Sequence, residues 1–283
     1  MTKIKIVTDS SANLTDEEVQ KYDITVIPLT VMIDGTIYVE DETITREEFI
    51  SKMATAKSLP KTSQPALGTF IETFDKLGAD GSSVVCINML EAISGTVHTA
   101  EQAASISKTD VTVIDAKTTD RAMSFQVVTA AKLAQAGADK QAVIDAVHTT
   151  QEHTKLFMGV MTLNNLVAGG RISRLTGAIS TLLNVKIALE VDNGDLDVKM
   201  KGRGVKAINK FFDKVLDDII ATPNVVEVAI SHVGATERVE EYKARLQAAL
   251  PSLKVSVQPT VPIIATHGGP GAFAVEYHTQ TPA

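Results

Sequence analysis

The stretch SVVCINMLEAISGTVHTAEQAASISKTDVTVID, residues 83–115, decides the fold. Residues 83–89 form a nearly unbroken apolar run of strand length, the pattern of a strand covered on both faces. Ser94-Gly95-Thr96 then opens a helix to about residue 106, and residues 111–114 make a second β-branched strand ending at Asp115. Strand, helix, strand in that order is a crossover unit, and such units join parallel neighbours in one sheet.

Upstream, residues 3–8 alternate as a strand, and Thr15 with Glu18 spells a capping box before a helix. Residues 24–33 read as extended, and Asp34-Gly35 before residues 36–39 is a hairpin signal. Thr45 and Glu48 repeat the capping box. Residues 58–65, with Pro60, Pro65 and three hydroxyls, read as an ordered loop, followed by a helix from Pro65 to Gly78. Downstream, helices are expected at 120–136 and 139–152, after which the texture changes. A strand at 155–161 and a short helical turn at 163–167 lead to Gly169-Gly170-Arg171-Ile172-Ser173. Strands at 185–191 and 196–200 then flank the turn Asp192-Asn193-Gly194. A helix at 205–220, a strand at 225–230, a helix to 250 and strands at 255–257 and 273–277 complete the chain. The expected architecture is α/β in two domains. Residues 1–150 would form a mostly parallel sheet with flanking helices, and residues 151–283 an α+β domain with antiparallel pairing.

Lys and Arg number 27 against 34 Asp and Glu, so the net charge of −7 disfavours polyanions. Eight Phe, four Tyr and no Trp leave little for base-stacking platforms. Nucleic-acid binding is therefore not expected. Cys86 is the single cysteine and lies in an apolar run, which excludes an internal disulfide and fits a reducing compartment. No apolar run reaches membrane-spanning length, so no membrane insertion is expected. The start lacks the apolar core of a signal peptide, and a cytoplasmic location is expected.

In an open parallel sheet, ligands bind beyond the carboxyl ends of the strands, which directs attention to Asp9-Ser10-Ser11, Ser94-Gly95-Thr96 and Asp115. Ser, Thr and Asp there also serve as ordinary caps and turn formers. Ser94-Gly95-Thr96 offers hydroxyl and amide donors at a helix start, an anion-binding arrangement, and Thr62-Ser63-Gln64-Pro65 offers the same at the helix before it. Neither carries a Lys and no G-x-x-x-x-G-K-[ST] occurs, so a nucleoside triphosphate fits poorly and a single carboxyl group fits well. His267 heads the turn-rich His267-Gly268-Gly269-Pro270-Gly271 after the apolar residues 261–264, where it either approaches a ligand or merely ends a strand. A triad of Ser94, His267 and Asp115 lacks any G-x-S-x-G support. Gly202-x-Gly204-x-x-Ala207 imitates a dinucleotide fingerprint, but the strand before it returns from a hairpin. The histidine and cysteine spacing suggests no metal site. Lys199, Lys201, Arg203, Lys206 and Lys210 form a basic stretch, a solvated face or a dock for an acidic partner.

Taken together, Thr8-Asp9-Ser10-Ser11, Thr62-Ser63-Gln64-Pro65, Ser94-Gly95-Thr96, Gly170-Arg171-Ile172 and His267-Gly268-Gly269-Pro270-Gly271 resemble the DegV family of bacterial fatty-acid-binding proteins, over essentially the whole chain. The resemblance implies two α/β domains around a tunnel for a long acyl chain such as palmitate. Thr62 and Ser94 would hold the carboxyl group, and Ser63, Gly95 and Thr96 would line the same corner. His267 would face it from the second domain, with Arg171 and Arg203 as basic positions near the mouth for partner docking. It also implies no cofactor and no catalytic residue. Any phosphoryl chemistry would belong to a separate ATP-dependent fatty acid kinase, to which relatives present the acyl chain for lipid transport and metabolism. The segment before Ser94 departs from the family's Ser-rich turn, and its Glu91 would raise the pKa of a nearby carboxyl group; Gly268 replaces a small polar residue. The alternative is a small-molecule enzyme resembling the dihydroxyacetone kinase substrate subunit, with His267 as its reactive residue.

Overall fold

The computed structural model describes residues 3–176 and 184–280. Its first sheet is parallel throughout, with neighbours in the order Thr25–Ile27, Ile4–Asp9, Ser83–Asn88 and Val111–Asp115. Period two sorts the central strand onto two cores. Val84 and Cys86 pack with Phe70 and Phe74 of helix Leu67–Gly78 and Ala100 and Ala103 of helix Thr96–Ile106. Val85 and Ile87 pack the other way, on Met123 and Val127 of helix Asp120–Gln135 and Val143 and Val147 of helix Lys140–Glu152. Helices thus cover both faces, as a parallel sheet requires. Both capping boxes form, at Thr15 with Glu18 and at Thr45 with Glu48.

A second, mixed sheet runs Lys254–Pro259, Val225–His232, Phe273–Thr279, Thr154–Val160, Val185–Asp192, Asp195–Arg203 and Leu175–Thr176. The hairpin at Asn193-Gly194 is antiparallel, so the glycine-rich turn after it does not belong to a dinucleotide-binding unit. One face of this sheet buries Phe212, Leu216 and Ile219 of helix Val205–Ala221 and Val239 and Leu246 of helix Thr236–Ala249 against Val228, Ile230 and Val275. The alternate residues Leu156, Val191, Leu196 and Ala274 turn to the opposite face, towards the first half of the chain.

Two segments differ from the sequence expectation. Residues 61–63, expected in a loop, form the strand Lys61–Ser63, which pairs with Thr30–Ile33 beside the Asp34-Gly35 hairpin and sets Thr62 opposite Val31. Lys-Thr-Ser has no apolar alternation, so its strand character comes from an available neighbour edge rather than its own pattern. Residues 262–268, expected only as an apolar run leading into a turn-rich loop, form the helix Pro262–Gly268. Proline at its first position has no N–H to lose there, and the Glu40 carboxyl accepts a hydrogen bond from the Ile263 amide in that first turn. The helix carries His267 in its last turn.

Candidate functional site

The face of the second sheet opposite its helices does not close completely on the first half of the chain. A cavity of about 380 Å³ remains, within the range of small-molecule sites. Its walls are mainly aliphatic: Leu90, Leu156, Met158, Leu189, Val191 and Ala274 are representative.

One pole of the cavity is polar, and four chain segments build it. Thr62 Oγ1 lies 3.0 Å from His267 Nε2. His267 packs so closely on Gly169 that a Cβ there would overlap the imidazole, which is why this position needs glycine. Arg171 donates from Nη1 to the Gly169 carbonyl at 2.8 Å and from Nε to the Ile93 carbonyl at 3.0 Å, tying its segment to the turn before Ser94. Ser94 Oγ sits 2.8 Å from Thr96 Oγ1 and accepts from the Thr96 amide at the helix start. Gln64 completes the ring by donating to Thr99 Oγ1 at 2.5 Å while lying against Gly95. Thr62, Ser63, Ser94, Gly95, Arg171 and His267 all line the cavity. Thr96 is fully buried behind Ser94. Arg203 does not line it: it is exposed at the end of strand Asp195–Arg203.

The electrostatics of this pole follow from burial. Desolvation, reinforced by the Arg171 charge, lowers the His267 pKa to about 4. The imidazole is therefore neutral at pH 7, and its Nδ1 has no hydrogen-bond partner. Glu91, expected to trouble a bound carboxylate, is exposed, does not line the cavity and stands 3.9 Å from His98. Arg171 is the cation at this pole of the cavity, and its charge favours an ionised ligand group there.

No triad forms. Asp115 accepts from the Lys117 amide, and His267 turns its Nε2 to Thr62. Asp9-Ser10-Ser11 is structural: Asp9 is fully buried and accepts from Ser11, Asn88 and the Met89 amide. Among the described residues, no group of three or more His, Cys, Asp or Glu side chains could hold a metal ion, and no helix is long and apolar enough to cross a membrane.

A family model described as "Uncharacterised protein, DegV family" matches residues 3–280. The chain belongs to the DegV family. Among DegV relatives, a DegV domain-containing protein of Streptococcus pneumoniae is 45% identical over 281 residues, covering 99% of this chain and 100% of the relative. The crystal structure of DegV from Bacillus subtilis, described as a fatty acid binding protein, superposes with a TM-score of 0.90 at 27% identity, covering 99% of this chain and 100% of that one. A stearic acid-binding protein from Eubacterium ventriosum matches with a TM-score of 0.85 at 25% identity, over 99% and 98% of the two chains.

Two things escaped the sequence reading of this DegV chain. Arg171, expected near the mouth as a docking position, also lines the cavity, held there by the Ile93 and Gly169 carbonyls. A second polar group on the wall, Thr119, Asp120, Ser231, His232 and Thr260, was not singled out at all. These residues come from three separate segments, the start of helix Asp120–Gln135, the end of strand Val225–His232 and the residue after strand Lys254–Pro259, and no motif joins them.

Proposed function

We propose that this protein binds a long-chain fatty acid, palmitate being a representative length, with the acyl chain along the aliphatic walls and the carboxyl group on Thr62 and Ser94. The observation that carries the reading is a largely apolar cavity with one compact pole of hydroxyl, amide, imidazole and guanidinium donors. DegV structures described as fatty-acid-binding support it. Burying each methylene contributes about 0.8 kcal/mol, so the chain dominates affinity and the polar pole fixes orientation. Ser63, Gly95 and Thr96 support the corner, and His267 with Arg171 offers donors from the other side. On this reading residues 1–150 form a domain that supplies the head-group loops, and residues 151–283 a domain that closes the cavity.

The chain shows no nucleotide-binding motif. We read it accordingly as a carrier that works in the cytoplasm and presents its ligand to a separate fatty acid kinase. Exposed Arg203, together with Arg171 near the mouth, would serve docking. Organic extraction and mass spectrometry of the purified protein test the reading. A stoichiometric fatty acid supports it; its absence, with no binding of added palmitate, overturns it.

A further inference from the structure

Asn165 does not line the cavity, yet it is only 3% exposed and stands between the segments that carry Arg171 and His267. Helix Asn164–Ala168 leads into Gly169-Gly170-Arg171, and helix Pro262–Gly268 carries His267 in its last turn. A helix end leaves its last carbonyls without partners inside the helix. Asn165 Nδ2 meets one of them, donating to the Thr266 carbonyl at 2.8 Å, immediately before His267. In the other direction, the Asn165 main-chain carbonyl accepts from the Gly169 amide at 2.9 Å, and the Gly169 carbonyl is the one that Arg171 Nη1 holds. The imidazole of His267, packed on Gly169, closes the circuit.

Both neighbouring glycines are shaped to this residue. Gly269 has φ +76°, and a Cβ there would stand 2.7 Å from Asn165 Oδ1; a Cβ on Gly169 would stand 3.1 Å from the Asn165 carbonyl oxygen. Leu163 and Leu166 already supply the apolar packing of this short segment, so what the Asn165 amide adds is direction. Donors fixed before the ligand arrives lose little freedom when it binds.

We propose that Asn165 is a positioning residue that holds His267 and Arg171 in one fixed relation, so that both face a single carboxylate. This inference rests on reading the polar pole as the carboxyl site of a fatty acid.

The test compares palmitate with hexadecanol, which shares the chain length but lacks the carboxylate. Each competes against a fluorescent fatty acid whose own affinity is determined for every variant. Asn165→Leu should weaken palmitate about tenfold and change hexadecanol less than twofold. NMR titration should show the His267 pKa rising from about 4 as the Arg171 charge leaves its side. Should the leucine variant not fold, Asn165→Ser, whose side chain is too short to reach the Thr266 carbonyl, should give the same split. Equal losses for acid and alcohol, with the His267 pKa unmoved, would reduce Asn165 to a fold contact and defeat the inference. Unchanged palmitate affinity in a folded variant defeats it too. If the unsubstituted protein does not bind palmitate, the fatty-acid reading fails and this inference falls with it.

Discussion

Thr62 and Ser94 line the same pole of the cavity, within a set of contacts that also includes His267, Arg171 and Gln64. Replacing both hydroxyls by Thr62→Val and Ser94→Ala removes two donors to a carboxylate. We expect palmitate affinity to fall between about ten- and a hundredfold, measured by displacement of a fluorescent fatty acid. Unchanged affinity would place the carboxyl group elsewhere. His267 gives a second prediction. Its pKa of about 4 reflects an apolar setting beside a cation, and a bound carboxylate adds an opposite charge. NMR titration should show the pKa rising on loading; an identical value in both states contradicts the assignment. These residues were legible because Ser, Thr and Gly at helix starts and a His before Gly-Gly-Pro-Gly are local signals. The setting of Arg171 was not legible, since the carbonyls of Ile93 and Gly169 that hold it lie on separate segments that only the fold brings together.

At the scale of elements, helix Pro262–Gly268 links the site to the rest of the fold. The Glu40 carboxyl bonds to its first turn and to Ser10 Oγ, whose oxygen accepts from the Leu29 amide. Burial raises the Glu40 pKa from 4.5 to about 8. The folded protein therefore holds a proton that the unfolded chain releases above about pH 4.5. The stability this contributes is full below that pH and is lost as pH rises through about 8, with a limiting slope of about 1.4 kcal/mol per pH unit. Urea unfolding of Glu40→Gln should show a flatter pH dependence over that window than the unsubstituted protein. Equal slopes would show that Glu40 titrates normally. Capping boxes, crossover units and hairpins were readable because each is written in a few adjacent residues. This helix was not: Val-Pro-Ile-Ile suits a strand end equally well, and its start depends on a carboxyl group far away in sequence.

For the whole molecule, function depends on a mismatch between two layers. The first sheet is covered on both faces, whereas the second is covered by helices on one face and by the cavity on the other. Alternation told which residues leave the helix-covered face, but not whether the opposing surface would meet them; that depends on side chains from distant segments such as Leu90 and Ala122. Ala274 lies on the cavity wall, and Ala274→Phe should fill part of it at a cost of about 1–3 kcal/mol in stability. Co-purified acyl chains should then shorten, as read by mass spectrometry; an unchanged profile would mean that the chain does not pass this point. The most direct measurement is a crystal structure of the protein as purified. The account predicts elongated density between the aliphatic walls, ending in a carboxyl group within hydrogen-bonding distance of Thr62 and Ser94. A cavity containing only ordered water, or an acyl chain whose carboxyl group lies away from Thr62 and Ser94, would contradict it.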